Sequence, residues 1–138
     1  MDFIIKQNAT LPILSMKLIE VIDTTTLSLN LSFDNMMENA VVTFSMIDVE
    51  TGRYAIANKS GGITKIEDVA TCGCDNCNYI IYYQFTDRDT KNYGVYKGEF
   101  TINFFDGDNG NGKLILPMKN DLNIFIQETY GKTSINGF

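Results

Sequence analysis

Apolar and polar residues alternate along most of this chain with a period of two, the repeat of a pleated strand that buries one face. Leu27, Leu29, Leu31 and Phe33 alternate with Ser28, Asn30 and Ser32. Ala40, Val42, Phe44 and Met46 alternate with Val41, Thr43 and Ser45, and after a turn over Asp48 to Gly52 the run Arg53 to Ala57 returns antiparallel. Tyr79 to Phe85 is a third such run. It leads through the polar turn Thr86 to Asn92 into a longer one, Gly94 to Phe105, on which Phe100 faces the core. The glycine-rich stretch Asp106 to Gly112, then Lys113 to Pro117 and Leu122 to Gln127, complete the series.

The remaining segments are shorter. Phe3 to Lys6 reads as a short first strand, and Asn8 to Pro12 as a bend. Ile13 to Glu20 fits strand or helix by period, and its β-branched residues favour strand. Asp34 to Asn39 suits one helical turn capped by Asp34. Gly61-Gly62 interrupts the chain before Ile63 to Ile66. About eight short strands at spacings of roughly 8 to 15 residues, with no long helix, predict an all-β fold: an antiparallel β-sandwich whose sheets each bury one face. The 138 residues suit a single domain, with a core over about 12–127 and terminal arms at 1–11 and 128–138 that reach a neighbour or stay disordered.

Composition narrows the function. Net charge is −6 and no Lys/Arg cluster is present, which argues against a nucleic-acid partner. No run reaches the roughly 18 to 20 apolar residues that span a bilayer, so no membrane partner is expected. The first residues lack the basic start and apolar stretch of a secretion signal, which points to a cytoplasm or a particle assembled there. Histidine is absent, removing the commonest general base and metal ligand at neutral pH. No activated nucleophile or acid–base pair stands out, and the acidic residues read as solvated turn carboxylates, so no enzyme is expected.

Three motifs carry candidate chemistry. Cys72, Cys74 and Cys77 lie within six residues, and the last two have C-x-x-C spacing. An odd cysteine count does not make a secreted disulfide framework. Three thiolates begin a zinc site, with Asp75, Asp68 or a neighbouring subunit as a fourth ligand. Free surface thiols or a labile disulfide are the alternatives. No other cofactor is expected. Asp106 to Gly112 has the look of a calcium loop, but glycine is not sixth and Pro117 occupies the twelfth position, so a hairpin connection fits better. Tyr79, Tyr82, Tyr83, Tyr93 and Tyr96 form an aromatic ladder that reads as cross-strand packing or as a carbohydrate or partner surface.

The order of motifs from Thr24 onward resembles the immunoglobulin-like sandwich of tailed-bacteriophage virion proteins, notably the N-terminal domain of baseplate upper proteins and related tail and neck adaptors. The matching elements are Leu27 to Phe33, the Ala40 to Gly52 strand and acidic turn, Asp87 to Thr90, Gly94 to Phe100, Asp106 to Pro117 and Leu122 to Gln127. The richness in Asn, Lys, Ile and Tyr is also similar to crAss-like phages. The Cys72 to Cys77 loop departs from the family pattern. The resemblance implies a non-enzymatic structural component of a virion, a homo-oligomer that joins other virion proteins in a tail, neck or baseplate. A ligand- or carbohydrate-binding sandwich used in host adhesion is the alternative.

Overall fold

The computed structural model describes residues 1–19, 39–66, 78–106, 110–118 and 120–130, and among these residues it is all-β. Its strands are β1 (Asp2–Lys6), β2 (Leu14–Ile19), β3 (Val41–Asp48), β4 (Tyr54–Ser60), β5 (Gly62–Ile66), β6 (Asn78–Tyr83), β7 (Gly94–Asp106), β8 (Gly110–Leu116) and β9 (Leu122–Gln127). The runs Leu27 to Phe33 and Asp34 to Glu38 lie outside the described residues.

The strands form two sheets that pack as a sandwich. The larger runs β1-β9-β7-β3-β4, with β8 also on β7, and the smaller runs β2-β6-β5. The thirteen-residue β7 organises the larger sheet. One edge of β7 pairs antiparallel with β3 along Tyr96 to Asn103. Its other edge is shared end to end: residues 94–98 take β9 and residues 100–106 take β8. The chain passes from β4 into β5 through Gly61, whose N–H donates to the Val42 carbonyl at 2.8 Å. A Cβ on Gly61 would fall 2.6 Å from the Tyr82 carbonyl oxygen, so only glycine lets the strand change sheets this tightly.

The core is the set of inward positions that the alternation selects. Val42, Phe44 and Met46 on β3, Tyr96, Phe100, Ile102 and Phe104 on β7, and Leu122, Ile124 and Ile126 on β9 are buried. Tyr79, Ile81 and Tyr83 on β6 meet them from the other sheet. Between the layers the Phe44 ring stacks on Tyr83 with centroids 4.8 Å apart, lies 5.0 Å from Phe100, and meets Phe85 edge-on. Gly98, at an inward position, makes room for this: a Cβ there would sit 2.8 Å from Phe44 Cζ and 2.7 Å from Ile124 Cδ1. The Tyr96 hydroxyl turns back along its own strand and donates to the Asn92 carbonyl at 2.7 Å.

Two expectations change. The sandwich is not wholly antiparallel, because β1 runs parallel to β9 from Asp2↔Asn123 to Lys6↔Gln127. These strands lie at opposite ends of the chain, so no short turn dictates their direction. Residues 1–11 are also not an arm. Ile5 is buried, the Gln7 N–H donates to the Gln127 carbonyl, and Thr129 Oγ1 donates to the Gln7 carbonyl at 2.8 Å. The short strand read at Phe3 to Lys6 is present, and five backbone pairings and one core isoleucine hold it in place.

Candidate functional site

Alternation should leave the outer face of a one-sided sheet polar. On the larger sheet Asp2, Asn123, Lys97, Glu99 and Ser45 keep to this, but one row does not. Ile4 pairs with Phe125, Phe125 with Val95, and the Val49 N–H donates to the Val95 carbonyl, so these residues form one row across β1, β9, β7 and the turn that follows β3. Ile4 is 53% exposed, Val95 46% and Val49 48%. The next row contains Lys97, Ile47 and Tyr54, and Tyr54 is 69% exposed. Tyr93 and Tyr130 are exposed as well, and Lys6 Nζ lies 5.3 Å over the Tyr130 ring. Exposed apolar and aromatic side chains thus lie side by side on this face.

A pocket of about 260 Å³ adjoins these rows. It exists because the chain leaves the β7 edge after Leu116, which pairs with Phe100, and returns at Leu122, which pairs with Gly98. The excess residues form a corner that includes Pro117 and Asn120, the latter at φ 53°. This corner stands beside Lys97, Glu99 and Tyr54 and closes one side of the pocket. Lys97 Nζ bonds Asp121 Oδ2 at 2.9 Å. That hydrogen bond, then the ammonium charge, hold the Asp121 carboxyl below the ordinary carboxylate value. Ser45 Oγ donates to Asn58 Oδ1 and accepts from the Asn58 N–H.

A second polar cluster lies between the sheets. Asp89 accepts hydrogen bonds from the Tyr83 hydroxyl at 2.6 Å, the Thr86 N–H at 2.9 Å and Lys59 Nζ at 2.9 Å. Its side chain is 2% exposed, which corrects the reading of turn carboxylates as solvated. Burial alone pushes the carboxyl up, but the hydrogen bonds from Thr86, Tyr83 and Lys59, with the Lys59 charge, outweigh it and hold the value below the ordinary one. Tyr83 is raised well above the ordinary phenol value, by burial first and then by Asp89. Lys59 belongs to β4, Tyr83 to β6 and Asp89 to the loop before β7, so the cluster rivets both sheets to that loop. Every oxygen of the carboxylate is engaged, and this geometry reads as architecture. A local signal for it exists: Thr86 and Asp89 bond reciprocally, N–H to Oδ2 and N–H to Oγ1, the capping-box pattern of Thr-x-x-Asp.

The sequence-selected residues fare differently. Cys72, Cys74 and Cys77, with Asp68, Asp75 and Asp108, lie outside the described residues. Among the described residues no three His, Cys, Asp or Glu side chains gather as metal ligands. β7 and β8 join as a hairpin with Asp106 paired to Gly110. The tyrosine ladder divides: Tyr79, Tyr83 and Tyr96 are buried packing residues, Tyr82 is half-buried and Tyr93 exposed. Tyr54, the exposed aromatic beside the pocket, escaped notice because its hairpin partner, not its neighbours in sequence, sets its face. In comparisons with known proteins, no family model, no curated protein and no solved structure matches the chain.

Proposed function

We propose that this protein is a non-enzymatic structural component of a bacteriophage particle, a tail, neck or baseplate adaptor that assembles with copies of itself and with other virion proteins. The observation that carries the assembly reading is the row Ile4, Phe125, Val95 and Val49 on a sheet face where alternation calls for polar residues. A permanent interface needs apolar surface of this type, and buries more than about 2,000 Å² when formed. The phage context rests on the resemblance in motif order. The sandwich is proposed to be immunoglobulin-like. In its support, β9-β7-β3-β4 and β2-β6-β5 follow the neighbour orders G-F-C-C′ and B-E-D of variable-type domains. The Tyr96 hydroxyl bonded to Asn92 at the start of β7 also matches a tyrosine corner.

The test is sedimentation of the parent beside Val95→Lys and Phe125→Lys. The parent should form a closed oligomer at micromolar concentration, and the variants should dissociate it while keeping the parent's Tm. A parent that stays monomeric at every concentration, alone and with the products of neighbouring genes, defeats the reading. A carbohydrate-binding module is the second reading, favoured by the exposed Tyr54 ring beside the pocket. It requires a glycan-array signal that Tyr54→Ala abolishes.

A further inference from the structure

The geometry points to a specific task for the pocket at the Pro117 corner: it is a slot for one arginine side chain of a partner protein. The inference rests on the assembly reading for the partner's class, and on the pocket's own chemistry for the residue type. Size comes first. At about 260 Å³ the space falls below the roughly 300–1,000 Å³ of sites for drug-sized ligands, which suits a single long side chain.

Charge comes second. Lys97 and Asp121 satisfy each other, and Ser45 is committed to Asn58. The Glu99 carboxylate makes no hydrogen bond or ion pair among the described residues, so the uncompensated charge among the described lining residues is negative. The net charge of −6 reinforces attraction of a cation. A sugar would need several free donors and acceptors, and most of those present are already engaged.

Shape decides between the two basic residues. Pro117 and Ile47 offer apolar walls to a methylene stem, and the exposed Tyr54 ring offers a flat surface. A guanidinium is planar, stacks on an aromatic ring and binds a carboxylate through two parallel hydrogen bonds. An ammonium does neither as well.

The test is an NMR titration of the full chain with N-acetyl-arginine amide. Its controls are the lysine analogue, the neutral isostere N-acetyl-citrulline amide and methyl glucoside. The arginine probe should shift the amides of Lys97 to Glu99 and Leu122, more tightly than the lysine probe, and the citrulline probe should leave them in place. Glu99→Gln should weaken the arginine probe about threefold to fivefold, because a solvent-exposed ion pair is lost. Lys97→Ala should tighten it by freeing the Asp121 carboxylate. Equal shifts from citrulline, indifference to Glu99→Gln, or a response to the glucoside alone would overturn the slot. Arginine binding by a chain that never assembles would leave the slot standing and remove the assembly reading. An oligomer that forms while the arginine probe stays silent would do the reverse.

Discussion

Asp89→Ala tests whether the buried carboxylate rivets the sandwich. The variant removes a charge-assisted hydrogen bond from Tyr83 at 2.6 Å and another from the Thr86 N–H at 2.9 Å. Each is worth roughly 1.5–3 kcal/mol net. The Lys59 side chain is half exposed, so its ion pair counts only as a surface pair, roughly 0–1 kcal/mol. The Tyr83 hydroxyl is then left buried without its acceptor, a further cost of roughly 1–3 kcal/mol. Against these stands relief from burying the carboxylate, worth several kcal/mol. The balance is a loss of about 3 kcal/mol, or roughly 10 °C in Tm for a domain of this size. With no tryptophan in the chain, urea unfolding followed by circular dichroism is the suitable assay. A cycle with Tyr83→Phe should return a coupling of about 1–2 kcal/mol. A variant within about 0.5 kcal/mol of the parent, or a cycle with no coupling, would refute the idea that this cluster ties the sheets together.

Phe100→Asp places a charge at a position with no exposed surface, between Phe44 and β8, and should unfold the domain; a cooperative transition equal to the parent's would mean the strand facing is wrong. Gly98→Val forces methyl groups against Phe44 and Ile124 and should cost about 1–3 kcal/mol in urea unfolding. The Asp89 carboxyl is depressed in the folded state, so its contribution is present above about pH 4, the unfolded value, and is lost as pH falls through the folded value. Asp89→Asn should therefore flatten the acid limb of a stability–pH curve. Tyr83 is raised, so its contribution is complete below about pH 10 and is lost as pH rises through the folded value. Tyr83→Phe should blunt alkaline destabilisation, leaving the part due to Tyr96, which is raised by burial and then by the charge of Asp48.

Much of the fold was legible in the chain. Phe44, Phe100 and Ile124 were readable as core residues because a period of two is a local property, and two neighbours on either side suffice to assign a face. The Ala40 to Ala57 hairpin was readable for the same reason, since its turn joins strands that are adjacent in sequence. Asp89 was misread because burial of a turn residue depends on what closes over it, here Tyr83 and Lys59 from two sheets. The outer face was missed because Ile4, Phe125, Val95 and Val49 are unremarkable singly, and only side-by-side pairing makes them a row.

By itself, then, the amino-acid order determined the strand content, the inward and outward sets, the two-layer architecture and the poverty of acid–base groups. These follow from short-range periodicity and composition. Tertiary structure alone decided that β1 lies parallel to β9, that a turn aspartate becomes the rivet, and that Glu99 and Tyr54 meet at one pocket although 45 positions separate them. Such juxtapositions depend on which strands pair and in what register. That choice is made by the burial energy of the whole core, and no local window of residues contains it.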